Sequence, residues 1–106
     1  MGYTCLMTHY EKLVRDRIPE ILDKKEISYE KRIASPEEYR TELTKKLTEE
    51  ASEFAEAGTL EEFADVLEVV EALKNLPEYQ NVEKIRLEKL QERGGFSKKI
   101  ILRGEK

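Results

Sequence analysis

Two helix starts stand almost back to back in this chain. Ser35-Pro36-Glu37-Glu38 opens one amphipathic run and Thr59-Leu60-Glu61-Glu62 opens the next, with Gly58 between them. In each, a hydroxyl side chain can accept from the backbone N–H three residues on, and acidic residues in the first turn suit the positive end of a helix. Pro36 fits the first helical position, where its missing N–H costs nothing. The pattern predicts a helix from about Ser35 to Ala57, stopped by Gly58, and a second that ends before Pro77. So short a connection makes the two helices antiparallel neighbours.

The rest of the chain reads as mostly helical. Asp16 is placed to cap a short helix in which Ile18, Ile21 and Leu22 recur at helical spacing and Pro19 falls in the first turn. A further helix is expected from about Val82 to Arg93, ended by Gly94-Gly95. Segment Ser28–Ala34 alternates Tyr29, Lys31 and Ile33 as a short strand does, and the tail Ser97–Arg103, with Ile100-Ile101-Leu102, is its candidate partner. The expected fold is all-α, a helical bundle of about four helices with a minor two-stranded β ribbon, forming one domain over residues 1–106.

Composition narrows the function. With 106 residues, 40% charged and 39% hydrophobic, the chain has enough apolar material for one modest core. No apolar run reaches membrane-spanning length, and Met1–Tyr10 lacks the basic-then-apolar order of a secretory signal, so a soluble, cytoplasmic protein is expected. The single Cys5 forms no internal disulfide, and with the single His9 it cannot build a Cys/His zinc site. His9 is also the only imidazole for a nucleophilic triad. A net charge of −4 argues against a partner such as a nucleic-acid polymer. Any metal must be held by carboxylates, which suits a hard cation such as Mg²⁺ or Mn²⁺.

On a helical wheel, Tyr39, Leu43, Leu47, Ala51, Phe54 and Ala57 form one apolar stripe of the first long helix. Glu50 falls inside that stripe, within roughly 30° of its centre, and Glu53 falls at its edge. Glu49 and Glu56 turn further away. In the next helix Phe63, Val66, Leu67, Val69, Val70, Leu73 and Leu76 make the apolar face, with Glu62 among them and Asp65 at the margin. Each helix thus carries a carboxylate pair at i, i+3 spacing, and the turn at Gly58 brings the pairs together. Four such charges repel unless a cation lies between them. A divalent metal site and a solvated acidic face both fit this spacing, and Glu62 has a structural use beside the Thr59 cap.

Three stretches taken in order point further. Glu49, Glu50 and Glu53 followed by Glu62 and Asp65 resemble the E-E-x-x-E…E-x-x-D signature of the all-α, MazG-like nucleoside triphosphate pyrophosphohydrolases. Lys12-Leu13-Val14-Arg15-Asp16-Arg17-Ile18-Pro19 and Arg93-Gly94-Gly95-Phe96 look like the flanking motifs of the small phosphoribosyl-ATP pyrophosphohydrolase-like members. The segment Glu61–Glu68 is similar to them as well, and the likeness covers about residues 10 to 103.

The resemblance implies Mg²⁺-dependent cleavage between the α- and β-phosphates of a nucleotide, giving a monophosphate and pyrophosphate. It implies Glu50, Glu53, Glu62 and Asp65 as metal ligands, and a homo-oligomer, dimer or tetramer, with the site near subunit contacts. Glu49 is the spare carboxylate for orienting or deprotonating water. Lys12, Arg15, Lys89 and Arg93 are the candidate cations for the phosphates; Arg86, Lys89 and Arg93 share one helix face, where pairing with Glu88 and Glu92 is the plainer use. Lys46 lies between Glu50 and Glu53 on the wheel and is suited to neutralise them or to bind substrate. Only eight residues separate Glu53 from Glu62, fewer than in many members, which leaves little inserted structure to recognise a base. True phosphoribosyl-ATP pyrophosphohydrolase shares the chemistry and is not separated by these residues. A non-catalytic helical interaction module is the competitor from another class, and it predicts no metal dependence.

Overall fold

The computed structural model describes residues 11–105, and every regular element among them is helical. Readings that fell on Met1–Tyr10, among them those for Cys5 and His9, lie outside the described residues. Helix α1 spans Ile18–Lys24, α2 Pro36–Ala57, α3 Leu60–Lys74 and α4 Val82–Arg93, with a 3₁₀ turn at Pro77–Tyr79. Two compact units arise, one comprising the chain as far as Leu73 and the other beginning at Lys74.

In the first unit the two long helices begin and end where their caps predict. Ser35, with extended backbone, accepts at Oγ from the Glu38 N–H at 3.2 Å, and Pro36 opens α2. Gly58 ends it at φ 67°, in the left-handed region that glycine enters without a Cβ clash, and its N–H donates to Phe54 O at 2.8 Å. Thr59 Oγ1 then accepts from the Glu62 N–H at 3.2 Å and starts α3. Leu43 is buried, at 4% exposed; Tyr39, Leu47, Phe54, Val66, Val69 and Val70 are half-buried around the two apolar stripes.

Helix α1 departs from expectation at its start. Its cap position is Arg17, not Asp16, and no side chain bonds there. Residues 16 and 17 form a turn instead, in which the Ile18 N–H donates to Arg15 O at 3.1 Å. That turn meets the need Asp16 was assigned. Beyond α1, Glu26 sits at φ 56°, an uncommon value outside glycine, held by its N–H on Asp23 O at 3.0 Å and that of Ile27 on Leu22 O at 3.0 Å.

The β ribbon is corrected: neither residues 28–34 nor residues 97–103 contain any strand. Ile33 is 92% exposed and Ile101 94%, so neither segment has an apolar face packed on a core, and a two-stranded ribbon without one is marginal in water. Side-chain pairs organise residues 28–34 instead. Tyr29 donates to Asp23 Oδ1 at 2.8 Å, which raises the phenol pKa. Arg32 forks onto both carboxylate oxygens of Glu38 at 2.7 Å each and onto Glu11 at 3.3 Å. These bonds tie the connection to α1 through Asp23, to Glu11 ahead of it, and to the first turn of α2 through Glu38.

In the second unit the 3₁₀ turn follows Leu76, which is buried at 8% exposed. Helix α4 ends at Gly94, whose φ is 78° and whose N–H donates to Leu90 O at 2.8 Å. Glu83 and Arg86 pair along its first turns, which lowers the carboxyl pKa and raises that of the guanidinium. Among the described residues no helix is long and apolar enough to cross a membrane.

Candidate metal centre

The carboxylates converge because three local features fix how α2 meets α3. Gly58 reverses the chain in one residue, Thr59 caps α3 at once, and the rings of Phe54 and Phe63 stack with centroids 5.0 Å apart and planes 26° from parallel. Glu50 stands one turn before Phe54, Glu53 directly beside it, Glu62 directly beside Phe63, and Asp65 two residues on. The stack therefore sets the register in which Glu50 of α2 meets Glu62 and Asp65 of α3.

Glu50, Glu62 and Asp65 each bring a carboxylate oxygen to a common point, the three lying within 4.8 Å of one another. All three residues are half-buried. Glu53, exposed on α2, stands outside this trio, yet its negative charge is felt at Glu62. The Thr59 cap uses the backbone N–H of Glu62 and leaves its side chain to the carboxylate cluster. Its Oε2 is buried without a hydrogen-bond partner among the described residues. Loss of water around Glu62, followed by the charges of Glu53, Asp65 and Glu50, pushes its pKa above the ordinary carboxylate value.

This donor set fits a hard divalent ion. It consists entirely of carboxylate oxygens, supplied from two helices, and includes an orphaned oxygen that a cation would satisfy. Thiolate or imidazole, which softer metals favour, is lacking among these donors.

Cations border the cluster. Arg15 donates from Nη2 to Asp65 Oδ1 at 2.9 Å, across 50 residues of sequence. Lys46 Nζ lies 4.0 Å from Glu50 Oε2 and 4.0 Å from Glu49 Oε1. Lys12 Nζ lies 3.9 Å from Glu49 Oε1. Glu49 thus stands outside the trio, between two lysines. A shallow cleft of about 180 Å³ adjoins it, lined by Glu11, Lys12, Leu13, Glu42, Lys45, Lys46 and Glu49.

Of the remaining candidates, Lys89 and Arg93 lie exposed on α4 in the second unit, where Arg93 Nε pairs with Glu92 at 3.5 Å. Lys45, not among the residues that the sequence motifs single out, also lines the cleft and is held by Glu42 at 3.2 Å. Its position one residue before Lys46 is the only signal the sequence offers. No protein-family model, curated protein or solved structure matches the chain.

Proposed function

We propose that this chain is a MazG-like nucleotide pyrophosphohydrolase that uses Mg²⁺, or Mn²⁺, to cleave the α–β phosphate bond of a (d)NTP or related nucleotide. The observation that carries the reading is the meeting of Glu50, Glu62 and Asp65 within 4.8 Å, with Glu62 Oε2 buried and unbonded among the described residues. Glu50, Glu62 and Asp65 would hold the ion, and Glu53, outside that trio, is assigned to it from the resemblance alone. When bound there, it supplies charge to the phosphate oxygens and acidifies the attacking water. Glu49 takes the proton of that water as it attacks the α-phosphorus. The bond from that phosphorus to the bridging oxygen breaks, so that a monophosphate and pyrophosphate leave. Lys12, Arg15 and Lys46 border the carboxylates and balance the phosphate charge; Lys89 and Arg93 are assigned the same role from the resemblance alone.

The protein works in the cytoplasm as a homo-oligomer in this reading. Leu60 is 83% exposed in a single copy, and Phe63 and Leu67 are 43% and 49% exposed beside the carboxylates, which supports a subunit contact along α3. House-cleaning of nucleotide pools is the role we favour, and phosphoribosyl-ATP hydrolysis in histidine synthesis is the alternative that shares the same chemistry.

The test is pyrophosphate release from a panel of standard, deoxy and modified nucleoside triphosphates with Mg²⁺, run with wild type and Glu53→Ala. Phosphoribosyl-ATP belongs in the same panel. Release by wild type alone supports the reading, and release from none of these substrates favours a non-catalytic module.

A further inference from the structure

The three converging carboxylates are not equally served by neighbouring cations. Arg15 Nη2 bonds Asp65 Oδ1 at 2.9 Å, Lys46 Nζ is 4.0 Å from Glu50 Oε2, and Glu62 Oε2 has no hydrogen-bond partner among the described residues. Lys46 sits one turn from Glu50 on the same helix. Arg15 differs, because it arrives from the segment ahead of α1, where residues 11–15 have no regular secondary structure.

We propose that Arg15 is an exchangeable counterion of this site. It holds the Asp65 carboxylate in the metal-free protein, leaves it when a divalent ion binds, and then engages the phosphates of the nucleotide. This rests on the metal-site reading above and adds an order to it, metal before nucleotide.

Three properties of the pair support exchange. The guanidinium occupies an oxygen of a carboxylate that the cation also needs, and two cations on one carboxylate repel. Water reaches both partners, with side chains 59% accessible for Arg15 and 42% for half-buried Asp65, so the bond is easily given up. Breaking it unwinds no helix, because Arg15 precedes α1 and reaches Asp65 through its side chain alone. Once released, the planar fork suits two phosphate oxygens as well as it suits a carboxylate.

Mn²⁺ binding measured by electron paramagnetic resonance, without nucleotide, tests this in wild type, Arg15→Gln and Arg15→Lys. Removing the counterion should tighten Mn²⁺ binding about fivefold in Arg15→Gln, the scale of an exposed ion pair, while Arg15→Lys stays near wild type. Inorganic pyrophosphate added to the Mn²⁺-loaded protein should bind more weakly to Arg15→Gln. Unchanged or weaker Mn²⁺ binding by a folded Arg15→Gln overturns the proposal and makes Arg15 a tether that orients Asp65. A second readout needs no variant: the side-chain Nε resonance of Arg15 in the wild type should shift on Mg²⁺ addition, and a resonance that does not move at saturation also overturns it. Absence of saturable Mn²⁺ binding by wild type is a different result, and it removes the metal reading itself.

Discussion

Phe54 and Phe63 stack across the α2–α3 turn with ring centroids 5.0 Å apart, and each has a metal-candidate glutamate as its sequence neighbour. One aromatic contact thus couples the packing of the helix pair to the geometry of its carboxylates. Phe63 is 43% exposed, so Phe63→Ala should cost about 2 kcal/mol, below the range for fully buried aromatics. Urea denaturation measures the loss, and Mn²⁺ affinity should fall with it, because the register of Glu53 and Glu62 loosens. Undiminished Mn²⁺ affinity in a destabilised Phe63→Ala would separate the stack from the site.

Glu62 makes the metal-free protein less stable at neutral pH. Its pKa is raised above the ordinary 4.5 by lost hydration and by Glu53, Asp65 and Glu50, so the folded chain keeps a proton that the unfolded chain has released. Stability should therefore fall as pH climbs from 4.5 through the raised folded value, and the penalty is complete above it. Mg²⁺ should recover that loss at neutral pH. Glu62→Gln should be more stable than wild type without metal and gain little from Mg²⁺, which thermal melts with and without the ion will read. A Glu62→Gln protein that melts below wild type at neutral pH without Mg²⁺ contradicts this account of the cluster.

Glu38 has the opposite sign. Its bonds from Arg32 hold its carboxyl below the ordinary 4.5, so it contributes stability above that value which is lost as pH falls through the depressed folded one. Replacing it in Glu38→Gln should flatten the acid side of the stability profile and leave the neutral-pH response to Mg²⁺ intact. Urea midpoints taken across the acid range check this.

The turn itself can be weakened without touching a carboxylate. Gly58→Ala forces a Cβ into φ 67°, at a cost of about 1 kcal/mol even though nothing lies within 4 Å of the added atom. Thr59→Ala removes the oxygen that accepts the Glu62 N–H and should cost about 1 kcal/mol as well. Both changes act next to the site, so both should reduce Mg²⁺ stabilisation, whereas Ser35→Ala at the far end of α2 should cost a similar amount and spare it.

What was legible in the sequence is what local chemistry decides. Ser35, Thr59 and Gly58 mark the limits of α2 and α3 because each satisfies backbone groups within three or four residues of itself. The wheel likewise puts half-buried Glu50 and Glu62 on the apolar faces and turns exposed Glu49 away, since one helix face is a short-range property, whereas Glu53, placed at the edge of its stripe, lies exposed and outside the trio. Asp16 failed as a cap because a backbone turn through Arg15 O does the same work. The ribbon failed because alternation along residues 28–34 says nothing about whether a core waits on one side. Arg15 on Asp65 was out of reach for another reason, as 50 residues separate the partners and no spacing rule links them.

Pyrophosphate release from a nucleoside triphosphate panel, with and without Mg²⁺, is the most direct measurement, using wild type, Glu62→Gln and Glu53→Ala in parallel. Release should require Mg²⁺ and fall at least about 100-fold in both variants, because each removes a carboxylate assigned to the ion. Wild-type release that proceeds without a divalent ion, or that survives both substitutions, would contradict a metal-dependent site between α2 and α3.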